Sequence, residues 1–504
     1  MTTITTTDPR TASTVDTGIE ATSDSEVATL AMAAAASFGE LRRHSRGWRA
    51  GLLRAVAAGL ESRRDELVSV AEGETGLSAA RLGTELTRTI FQLNLFADAV
   101  IEGGYLEAII DHAGDTPMGP GPDVRRMLVP IGPVAVFGSS NFPFAFSVPG
   151  GDTASALAAG NPVIVKAHSS HPITSRAAFD AMHAAATAYG APDGTLSIVY
   201  GQHAGATLVA DSRVAAVGFT GSLSTGRILL DIIERRERPI PFYGELSSLN
   251  PLIVTAGAIE ARGDAIADGL FVSFTASAGQ LCTKPGIAFI PRGADELIET
   301  LVARATDAPA QPLLNERIFN AFGEIRQRLV TEGRARVLVE PQVGMGGFTL
   351  TPGILEIDAA DLRASTTEEA FGPLIVIVRY TRLGEVSSAL RTIPDSLTAT
   401  VHSESSEREE ITTLVEELQD ASGRVVFNGF PTGVRVSWGQ HHGGPWPATN
   451  SAHTSVGVTA IRRFLRPLAW QDAPEALLPA ELRDSFTAVP RRVDGVLKLA
   501  IGAS

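Results

Sequence analysis

The chain has 504 residues, 44% hydrophobic and 19% charged, which is more than one ordinary core holds, since single cores stop growing near roughly 250–300 residues. Its formal net charge of −14 argues against binding to nucleic acid or to an anionic membrane surface, which attract proteins with a basic face. The single cysteine excludes an intramolecular disulfide and any zinc site that needs two cysteines, and it fits a reducing, cytoplasmic compartment.

The N-terminal part of the chain predicts a tail followed by helices. Residues 1–25 are rich in Thr and Asp and carry no signal-peptide pattern, so we expect a flexible tail. From residue 26 to about 101, apolar residues recur at three- and four-residue spacing, which predicts helices. Residues 103–122 are rich in Gly, Pro and Asp and are expected to form a loop. Nowhere does the chain approach the ~20 apolar residues that a membrane helix needs.

Short apolar segments alternate with helical segments from residue 134 onwards. Strands this apolar, joined by helices, are typical of a buried parallel sheet. The predicted strands are 134–138, 162–166, 196–200, 214–220, 251–255, 286–290, 374–380, 397–401 and 424–428. The predicted helices are 151–159, 174–189, 204–210, 264–276, 295–305, 315–332 and 408–418. The alternation restarts after residue 250, which indicates two α/β units.

Cys282 lies between a predicted helix and a predicted strand. The small residues of Thr-Ala-Ser-Ala-Gly-Gln-Leu-Cys-Thr-Lys-Pro-Gly, residues 275–286, let the backbone approach a ligand closely. A cysteine thiolate is an effective nucleophile. A lone cysteine is nevertheless more often a small buried hydrophobic residue, so the segment by itself does not assign catalysis.

Two further polar residues suggest acyl chemistry. Glu245 lies at the edge of an apolar strand, where burial would raise its pKa towards neutrality, as a general base needs. Asn141, in Ser-Asn-Phe-Pro, follows a strand and can donate from its side chain to a developing oxyanion. The alternatives are a solvated surface glutamate and a turn-forming asparagine.

A nucleotide site is indicated by two segments. Residues 219–226, Phe-Thr-Gly-Ser-Leu-Ser-Thr-Gly, read as a strand end, a turn and a helix start, where free amides suit a pyrophosphate. The spacing matches neither common glycine-rich phosphate motif, so an ordinary turn is an alternative. Lys166 ends a strand and can hold an adenosine ribose or its phosphate, unless it is simply solvated. His168 and His171 are spaced like metal ligands, but no ligand set accompanies them, and no metal site is predicted.

Taken together and in this order, these segments resemble the aldehyde dehydrogenase superfamily from about residue 26 to about 480. The motifs are Ser-Asn-Phe-Pro, Val-Lys-Ala-His, Phe-Thr-Gly-Ser, Gly-Glu-Leu, Gly-Gln-Leu-Cys-Thr and Glu-Glu-Ala-Phe-Gly-Pro. Asn-Gly-Phe-Pro-Thr-Gly-Val from residue 428 and His-Gly-Gly-Pro-Trp-Pro-Ala-Thr from residue 442 look like the 2-oxoglutarate semialdehyde (2,5-dioxovalerate) dehydrogenases. The NADP-linked fatty aldehyde dehydrogenases share much of this pattern.

The resemblance implies an α/β fold with two Rossmann-related domains, each on a parallel sheet, plus a small oligomerisation arm. By position, residues 26–245 would form the cofactor-binding domain and residues 246–428 the catalytic domain. Residues 429–504 would supply a substrate-entrance loop and a C-terminal oligomerisation segment, and the arm would include residues near 124–132. The family's dimers and tetramers imply a homodimer or a homotetramer.

The resemblance also implies a reaction and the residues that perform it. The reaction is NAD(P)-dependent oxidation of an aldehyde, here 2-oxoglutarate semialdehyde, to a carboxylic acid through a cysteine thioester. Cys282 becomes the nucleophile, Glu245 the general base, and Asn141 an oxyanion donor beside the Cys282 amide. The implied cofactor contacts are Lys166 and Ser169 at the adenosine ribose, Gly221 and Ser222 at the pyrophosphate, and Glu369 and Phe371 at the nicotinamide ribose.

Two departures from the family pattern affect specificity. Ser169 stands where NAD-specific relatives carry an acid that binds the ribose hydroxyls. Since an acid repels a 2′-phosphate and serine does not, NADP should be accepted as well as NAD, although the sequence shows no evident arginine to clamp the phosphate. Leu281 stands where the subgroup has an aromatic residue in the aldehyde pocket, which puts the substrate preference in doubt.

Several alternatives follow from the same residues. A fatty aldehyde or another semialdehyde would need a pocket whose wall is apolar. The candidates for that wall are Phe142, Phe144, Phe146 and Phe274. The alternative is that these residues belong to the hydrophobic core. Arg435 and Gln440 are candidates for binding a substrate carboxylate. Acyl transfer to coenzyme A is disfavoured because Glu245 favours water as acceptor. A catalytically silent binding protein is disfavoured because the Cys, Glu and Asn are all present.

Overall fold

The computed structural model describes residues 3–501. The α-helices are α1 (Asp24–Leu41), α2 (Arg46–Ser62), α3 (Arg64–Thr75), α4 (Ala79–Glu102), α5 (Gly151–Ala159), α6 (Pro172–Tyr189), α7 (Gln202–Ala210), α8 (Leu223–Glu234), α9 (Ala256–Thr275), α10 (Asp295–Asp307), α11 (Glu316–Thr331), α12 (Leu383–Leu390) and α13 (Arg408–Asp420). Short 3₁₀ turns lie at Gly104–Leu106, Ala276–Gly279, Ala359–Asp361, Ala364–Thr366, Ser405–Glu407, Val458–Phe464, Glu475–Leu477 and Ala480–Leu482.

The strands alternate with these helices through the middle of the chain. They are β1 (Thr3–Asp8), β2 (Ser13–Glu20), β3 (Ala108–Asp111), β4 (Gly114–Thr116), β5 (Gly119–Gly121), β6 (Val124–Pro130), β7 (Val134–Phe137), β8 (Val163–Lys166), β9 (Leu196–Val199), β10 (Ala216–Thr220), β11 (Phe242–Glu245), β12 (Leu252–Val254), β13 (Ile287–Pro291), β14 (Gln311–Pro312), β15 (Arg336–Val339), β16 (Thr349–Leu350), β17 (Gly353–Asp358), β18 (Leu374–Tyr380), β19 (Ala399–His402), β20 (Val425–Phe427), β21 (Leu465–Gln471), β22 (Arg491–Val493) and β23 (Val496–Lys498). The predicted α/β class is confirmed.

The first large sheet is parallel and has the strand order β11-β10-β7-β8-β9. Its strands are apolar and buried on both faces, because helices cover both sides of a parallel sheet. The chain enters at the central strand β7, builds outward to one side, and then returns to build the other. Loops after β7 and β10 therefore diverge, and this switch point opens a crevice at the carboxyl edge of the sheet, where dinucleotides bind in such folds.

The second large sheet has the order β15-β17-β18-β13-β12-β19-β20 and is parallel except for β15. Two of its strands, β15 and β17, were not predicted, because each mixes charged with apolar residues. Loops at the carboxyl edges of the first and second sheets carry the predicted site residues. The two sheets use residues 134–245 and 252–427, and the predicted domain bounds stay a prediction.

A third sheet, with the order β21-β6-β3-β22-β23, joins segments that are distant in sequence. The prediction of a loop over residues 103–122 is wrong where β3, β4 and β5 lie. Gly, Pro and Asp hide these strands locally, and β3 is held by pairing with β6 and β22. The sheet includes the predicted arm near residues 124–132. Its edge strand β23 exposes Val496 and Leu497, and homo-oligomer formation stays a prediction that sedimentation equilibrium would test.

The prediction of a flexible tail over residues 1–25 is wrong for residues 3–20, which form the antiparallel hairpin β1–β2. Its Thr residues are β-branched and favour strands, although their polarity suggested a disordered segment. The hairpin packs against α3 and α6, and the Pro9 carbonyl accepts a hydrogen bond from the Phe348 amide at 2.8 Å. Tertiary contacts therefore order a segment whose composition is that of a tail.

The helical prediction for residues 26–101 is confirmed by α1 to α4. Helix α4 begins after Ser78, whose hydroxyl accepts from the Arg81 amide, and ends at Gly103, which has φ of 82°. Helix α8 begins at Leu223, so Gly226 lies within the helix and not at the end of the turn. No helix in residues 3–501 is both long enough and apolar enough to cross a bilayer.

Candidate active site

The carboxyl edge of the first sheet gathers the residues that the sequence singled out. In the parallel register, Phe137 pairs with Lys166, and Thr220 pairs with Glu245. Because the carboxyl ends of parallel strands meet at one edge, the loop bearing Asn141, the end of β8 and the end of β11 all face the same crevice. The loop that carries Cys282 follows α9 and lies next to the Asn141 loop, since Asn141 Nδ2 donates to the Gln280 carbonyl at 2.9 Å.

The backbone before Cys282 is unusual. Ser277, Ala278 and Gly279 have consecutive positive φ values of 53°, 54° and 67°. Such a run is costly for residues with a Cβ and persists only where surrounding contacts hold it. At Gly279 a Cβ would lie 2.2 Å from the Gly372 carbonyl oxygen, so only glycine fits. The turn is held by hydrogen bonds from Arg81 Nε to Ser277 Oγ at 2.8 Å and from the Ala278 amide to Gln311 at 3.1 Å.

Two buried side chains fix the other side of this loop. Asn250 Nδ2 donates to the carbonyls of Cys282 at 2.8 Å and Lys284 at 2.9 Å. Lys284 Nζ donates to three carbonyls in residues 370–374 at 2.8 to 3.1 Å. Burial lowers the pKa of Lys284, opposed by the nearby Glu369 carboxylate. The lysine thus ties the cysteine loop to the segment that holds Glu369 and Phe371.

Cys282, His442 and Glu245 form a compact cluster. Cys282 Sγ lies 3.5 Å from His442 Nε2, and His442 Nε2 lies 2.9 Å from Glu245 Oε1. Sulfur, nitrogen and carboxylate oxygen all lie within 4.8 Å of one another. His442 Nδ1 is buried and has no hydrogen-bond partner among the described residues. We therefore place the imidazole proton on Nε2, where it donates to Glu245.

The prediction that burial leaves Glu245 with a raised pKa is wrong. Burial does push in that direction, but the His442 imidazole and the Ser455 hydroxyl, which both donate hydrogen bonds to the carboxylate, outweigh it and lower the pKa of Glu245 to about 2. Ser455 Oγ donates to Oε2 at 2.7 Å. Hydrogen bonds to the charged form favour that form. Glu245 is consequently an ionised carboxylate whose two oxygens are both engaged.

The Cys282 thiol is half-buried. Burial and, after it, the negative charge of Glu245 raise its pKa well above the ordinary value, while Arg88 opposes them. Removing water and adding a neighbouring anion both disfavour a thiolate. In this arrangement Cys282 therefore rests as the thiol.

Asn141 lies beside the nucleophile loop, as the resemblance implied. Its Nδ2 donates to the Gln280 carbonyl at 2.9 Å, two residues before Cys282. The Asn141 carbonyl in turn accepts from Arg81 at 2.8 Å. A side-chain amide has two N–H groups, so one remains to donate to an oxygen on the substrate carbon.

The residues assigned to the cofactor lie along the same crevice. Lys166 is half-buried at the end of β8, and burial, followed by the charge of Arg317, lowers its pKa to about 8. Ser169 is exposed in the loop that follows. Ser222 is the N-cap of α8, so its neighbouring amides are free to bind an anion. Gly221 precedes it, and a Cβ there would lie 2.7 Å from the Phe219 ring.

Glu369 and Phe371 are both partly exposed on the opposite wall. Glu369 accepts from the Ser248 amide at 3.1 Å, and burial raises the pKa of its carboxyl, opposed by Lys284. These residues, with Lys166 and Ser222, suit a dinucleotide: a cation and free amides for phosphate and a carboxylate for ribose hydroxyls.

The candidates for the substrate pocket separate into two groups. Phe144 and Phe274 are fully buried core residues. Phe142 and Phe146 are half-buried, and their ring centroids lie 5.3 Å apart, while the Phe146 ring lies 6.1 Å from that of His442. Phe142 and Phe146 therefore line the approach to Cys282.

The two histidines considered as a metal pair serve the local fold instead. His171 is buried between the Ser139 carbonyl at 2.9 Å and the Ser175 hydroxyl at 3.2 Å. Across residues 3–501, no third His, Cys, Asp or Glu donor joins His168 and His171. The donors that do converge are those of Cys282, His442 and Glu245, and the absence of a metal stays a prediction.

The model of the aldehyde dehydrogenase family matches residues 1–448. The chain belongs to the aldehyde dehydrogenase family. Members oxidise aldehydes to carboxylic acids, and this chain is an oxidoreductase of that kind.

Relatives match this aldehyde dehydrogenase over most of its length. The alpha-ketoglutaric semialdehyde dehydrogenase 2 of Azospirillum brasilense is 43% identical over 457 residues, which cover 89% of this chain and 87% of the relative. The alpha-ketoglutaric semialdehyde dehydrogenase of Acinetobacter baylyi is 37% identical over 481 residues, covering 94% and 91%. Both names mean 2-oxoglutarate semialdehyde dehydrogenase, the branch that the motifs resembled.

Solved structures show the fold. An aldehyde dehydrogenase from Brucella melitensis biovar abortus 2308 superimposes with a TM-score of 0.80 at 24% identity, covering 94% of each chain. A Thermus 1-pyrroline-5-carboxylate dehydrogenase structure with bound NAD gives a TM-score of 0.80 at 22% identity, covering 93% and 90%. The expected fold of two parallel-sheet domains is confirmed.

Sequence reasoning missed several residues of this aldehyde dehydrogenase. His442 was noted only as part of a motif, and Ser455, Arg81, Lys284 and Arg88 were not singled out. Lys284 lies two residues after Cys282, but its contacts with residues 370–374 are not visible in the sequence. The others come from segments remote from Cys282, so no local pattern ties them to it. The family motif beginning at His442 was the one available signal.

Proposed function

We propose that this enzyme oxidises 2-oxoglutarate semialdehyde (2,5-dioxopentanoate) to 2-oxoglutarate with NADP or NAD. The observation that carries the proposal is the cluster of Cys282, Glu245 and His442 in a chain that matches 2-oxoglutarate semialdehyde dehydrogenases along most of its length. The cluster offers a nucleophile and an acid–base pair, and the names of the relatives indicate the substrate.

The acylation half-reaction follows from the positions of Cys282 and Asn141. Glu245, whose side chain hydrogen-bonds the thiol, accepts the Cys282 proton and passes it to solvent, and the sulfur bonds to the aldehyde carbon, whose oxygen becomes negative. The Asn141 side chain and the Cys282 amide donate to that oxygen, and losing one such donor typically costs ~3 kcal/mol in the barrier. The nicotinamide ring, when bound, supplies the hydride acceptor. Loss of hydride from the carbon leaves a thioester on Cys282.

The deacylation half-reaction needs a base beside the thioester. Glu245 lies within 4.8 Å of Sγ and takes the proton of the attacking water, after which the C–S bond breaks and the acid leaves. A carboxylate with a pKa of about 2 is a weak base. Base catalysis therefore requires Glu245 to release its bond to His442, which would raise its pKa towards the working range.

A second candidate substrate class is favoured by one observation. Phe142 and Phe146 give the approach an apolar wall, which suits an unsubstituted aliphatic aldehyde, as in the fatty aldehyde branch. Initial rates of reduced-cofactor formation separate the two. We expect kcat/KM for 2,5-dioxopentanoate to exceed that for pentanal or decanal by about 100-fold, since a charged contact desolvated in a pocket discriminates by that order. A preference for decanal would overturn the proposed substrate.

We also propose that the enzyme accepts NADP and binds its 2′-phosphate between Lys166 and Arg317. Arg317 lies in the first turn of α11, which is anchored on the Lys166 loop by a hydrogen bond from Asn315 Nδ2 to Ser170 Oγ at 2.9 Å. The positive charge of Arg317 acts on Lys166 and on His168. Because residue 169 is a serine, no acidic side chain at that position repels the 2′-phosphate. The arginine that the sequence did not reveal thus comes from the second α/β unit.

Replacing Arg317 by Gln tests this cofactor proposal. By calorimetry, we expect R317Q to bind 2′,5′-ADP at least about tenfold more weakly while its affinity for 5′-AMP stays unchanged, because an ion pair to phosphate is lost and the adenosine contacts are kept. Arg336→Gln, at an exposed arginine on β15, is the control and should change neither affinity. Equal weakening for both nucleotides, or none, would contradict the clamp.

The remaining proposals concern the enzyme's surroundings. We infer a cytoplasmic homo-oligomer that needs no metal and binds neither membrane nor nucleic acid. The net charge of −14, the single cysteine and the exposed apolar edge at β23 support this inference.

A further inference from the structure

Arg88 has an enclosed guanidinium nitrogen without a hydrogen-bond partner among the described residues. It lies on α4, is itself half-buried, and its Nη1 is enclosed with no hydrogen-bond partner among the described residues. Burying a guanidinium without an acceptor is costly, so an unpaired one needs an explanation such as a ligand that the protein binds. Other enclosed arginines differ: Arg463 pairs with Asp152 at 2.7 Å.

The acid nearest to Arg88 in the helix is already occupied. Glu85, one turn earlier, accepts from Arg81 at 2.8 Å through one oxygen and from the amides of Phe144 and Ala145 at 2.8 and 2.9 Å through the other. Both carboxylate oxygens of Glu85 are therefore engaged in hydrogen bonds, two of which hold the loop that follows Asn141. Arg88 is therefore left without a carboxylate from its own helix.

Arg88 belongs to the wall of the substrate approach. Its Cζ lies 5.2 Å from the centroid of the Phe146 ring, so the guanidinium is held over an aromatic face. That ring is 6.1 Å from the ring of His442, whose Nε2 is 3.5 Å from Cys282 Sγ. The charge of Arg88 also acts on the thiol, whose pKa it lowers against burial and Glu245.

We propose that Arg88 binds the carboxylate of the substrate and thereby selects acid semialdehydes over neutral aldehydes. In 2,5-dioxopentanoate, four carbon–carbon bonds separate the carboxylate carbon from the aldehyde carbon, so both ends fit in one pocket. A guanidinium pairs with a carboxylate through two parallel hydrogen bonds, which fixes orientation as well as charge. This proposal rests on the proposed function, since it names the contact that distinguishes its substrate class.

The two carboxylate-binding candidates from the sequence lie elsewhere or are engaged. Arg435 is exposed on the surface of its loop. Gln440 Nε2 donates to the His441 carbonyl at 2.6 Å. Arg424 also lies near the thiol, but its guanidinium already donates to the carbonyls of Gly433 and Pro431 at 2.9 and 2.6 Å. Arg424 Nε is likewise enclosed and unpaired, but both Nη atoms of Arg424 are engaged, whereas Arg88 Nη1 is unpaired and its guanidinium lies over the Phe146 ring.

The test is Arg88→Met, which keeps an unbranched apolar stem and removes the charged guanidinium. With 2,5-dioxopentanoate and 5-oxopentanoate we expect kcat/KM to fall about 10²- to 10³-fold, because the carboxylate loses its desolvated partner. Pentanal, of the same chain length without a carboxylate, should change by less than about threefold. Arg88→Lys should recover part of the loss, since it keeps the charge without the paired hydrogen bonds. Calorimetry should show that R88M no longer binds 2-oxoglutarate.

The controls separate this proposal from the proposed function. Arg54→Met removes an exposed arginine of α2 that pairs with Asp98 on α4, the helix that carries Arg88, and this variant should alter no rate. Unchanged thermal unfolding of R88M establishes that the fold is intact. An equal loss for pentanal and the acids would overturn the proposal, as would selective loss in Arg424→Met and none in R88M. The wild type could oxidise 5-oxopentanoate but not 2,5-dioxopentanoate, and lose the former activity in R88M. In that case the proposed function fails and the carboxylate site stands. If the wild type oxidises neither acid, both proposals fail.

Discussion

Cys282→Ala is expected to reduce turnover by about 10⁴-fold or more, because removing a covalent nucleophile abolishes the route on which every later step depends. The measurement is the initial rate of reduced-cofactor formation. Cys282 is the only cysteine of the chain, so iodoacetamide labels this one position, and in the wild type the loss of activity should follow the labelled fraction.

The variant should otherwise remain intact. Calorimetric affinity for the cofactor and the thermal unfolding midpoint should match those of the wild type, because the loop is held by Asn250, Lys284 and Arg81 and not by the thiol. Residual turnover above about one per cent would show that another group attacks the aldehyde, and the nucleophile assignment would be abandoned.

Glu245→Gln is expected to slow steady-state turnover by about 10²- to 10⁴-fold, the range for loss of a general base. Because hydride leaves before water attacks, we expect a burst of reduced cofactor close to one equivalent per active site. The thioester should then accumulate and be visible by intact-protein mass spectrometry. Ser455→Ala, which keeps the carboxylate and removes one of its hydrogen bonds, is the matched control and should show no burst.

The same variant has an expected effect on the pH dependence of the thiol. Burial and the charge of Glu245 raise the pKa of Cys282, so removing that charge lowers it and enlarges the thiolate fraction at a given pH. The curve of iodoacetamide alkylation rate against pH should therefore move to lower pH in E245Q and stay in place in S455A. A shift to higher pH, or a steady-state rate equal to the wild type without a burst, would mean that Glu245 is not the base.

His442 makes the resting site different from what a Cys–Glu pair would give. Its Nε2 lies 3.5 Å from the sulfur and 2.9 Å from the carboxylate, and its hydrogen bond helps to hold Glu245 ionised, while burial and the charge of Glu245 keep the thiol neutral. The proposed role of Glu245 as the base therefore requires its hydrogen bond to His442 to open in each cycle.

The sequence by itself determined the fold class and the alternation of strands and helices through the middle of the chain, and it yielded the prediction that Cys282 is the nucleophile. Buried parallel strands are apolar throughout, and helices repeat every three to four residues, so local pattern carries these features. The motifs, taken in their order along the chain, identified the family. Segments whose order depends on distant partners were not accessible in this way: β1, β2 and β3 are stabilised by pairing and packing across the chain, and their polar or glycine-rich composition masks them.

Only the tertiary structure decided the chemistry around the nucleophile. Burial of Glu245 was expected from its apolar strand, but its low pKa depends on His442 and Ser455, nearly two hundred residues or more away in sequence. The charge of Arg317, on α11, acts on Lys166, and Arg88 is left unpaired because Arg81 and two backbone amides occupy Glu85. Electrostatic character is set by all neighbours in space at once, and a linear sequence does not list them.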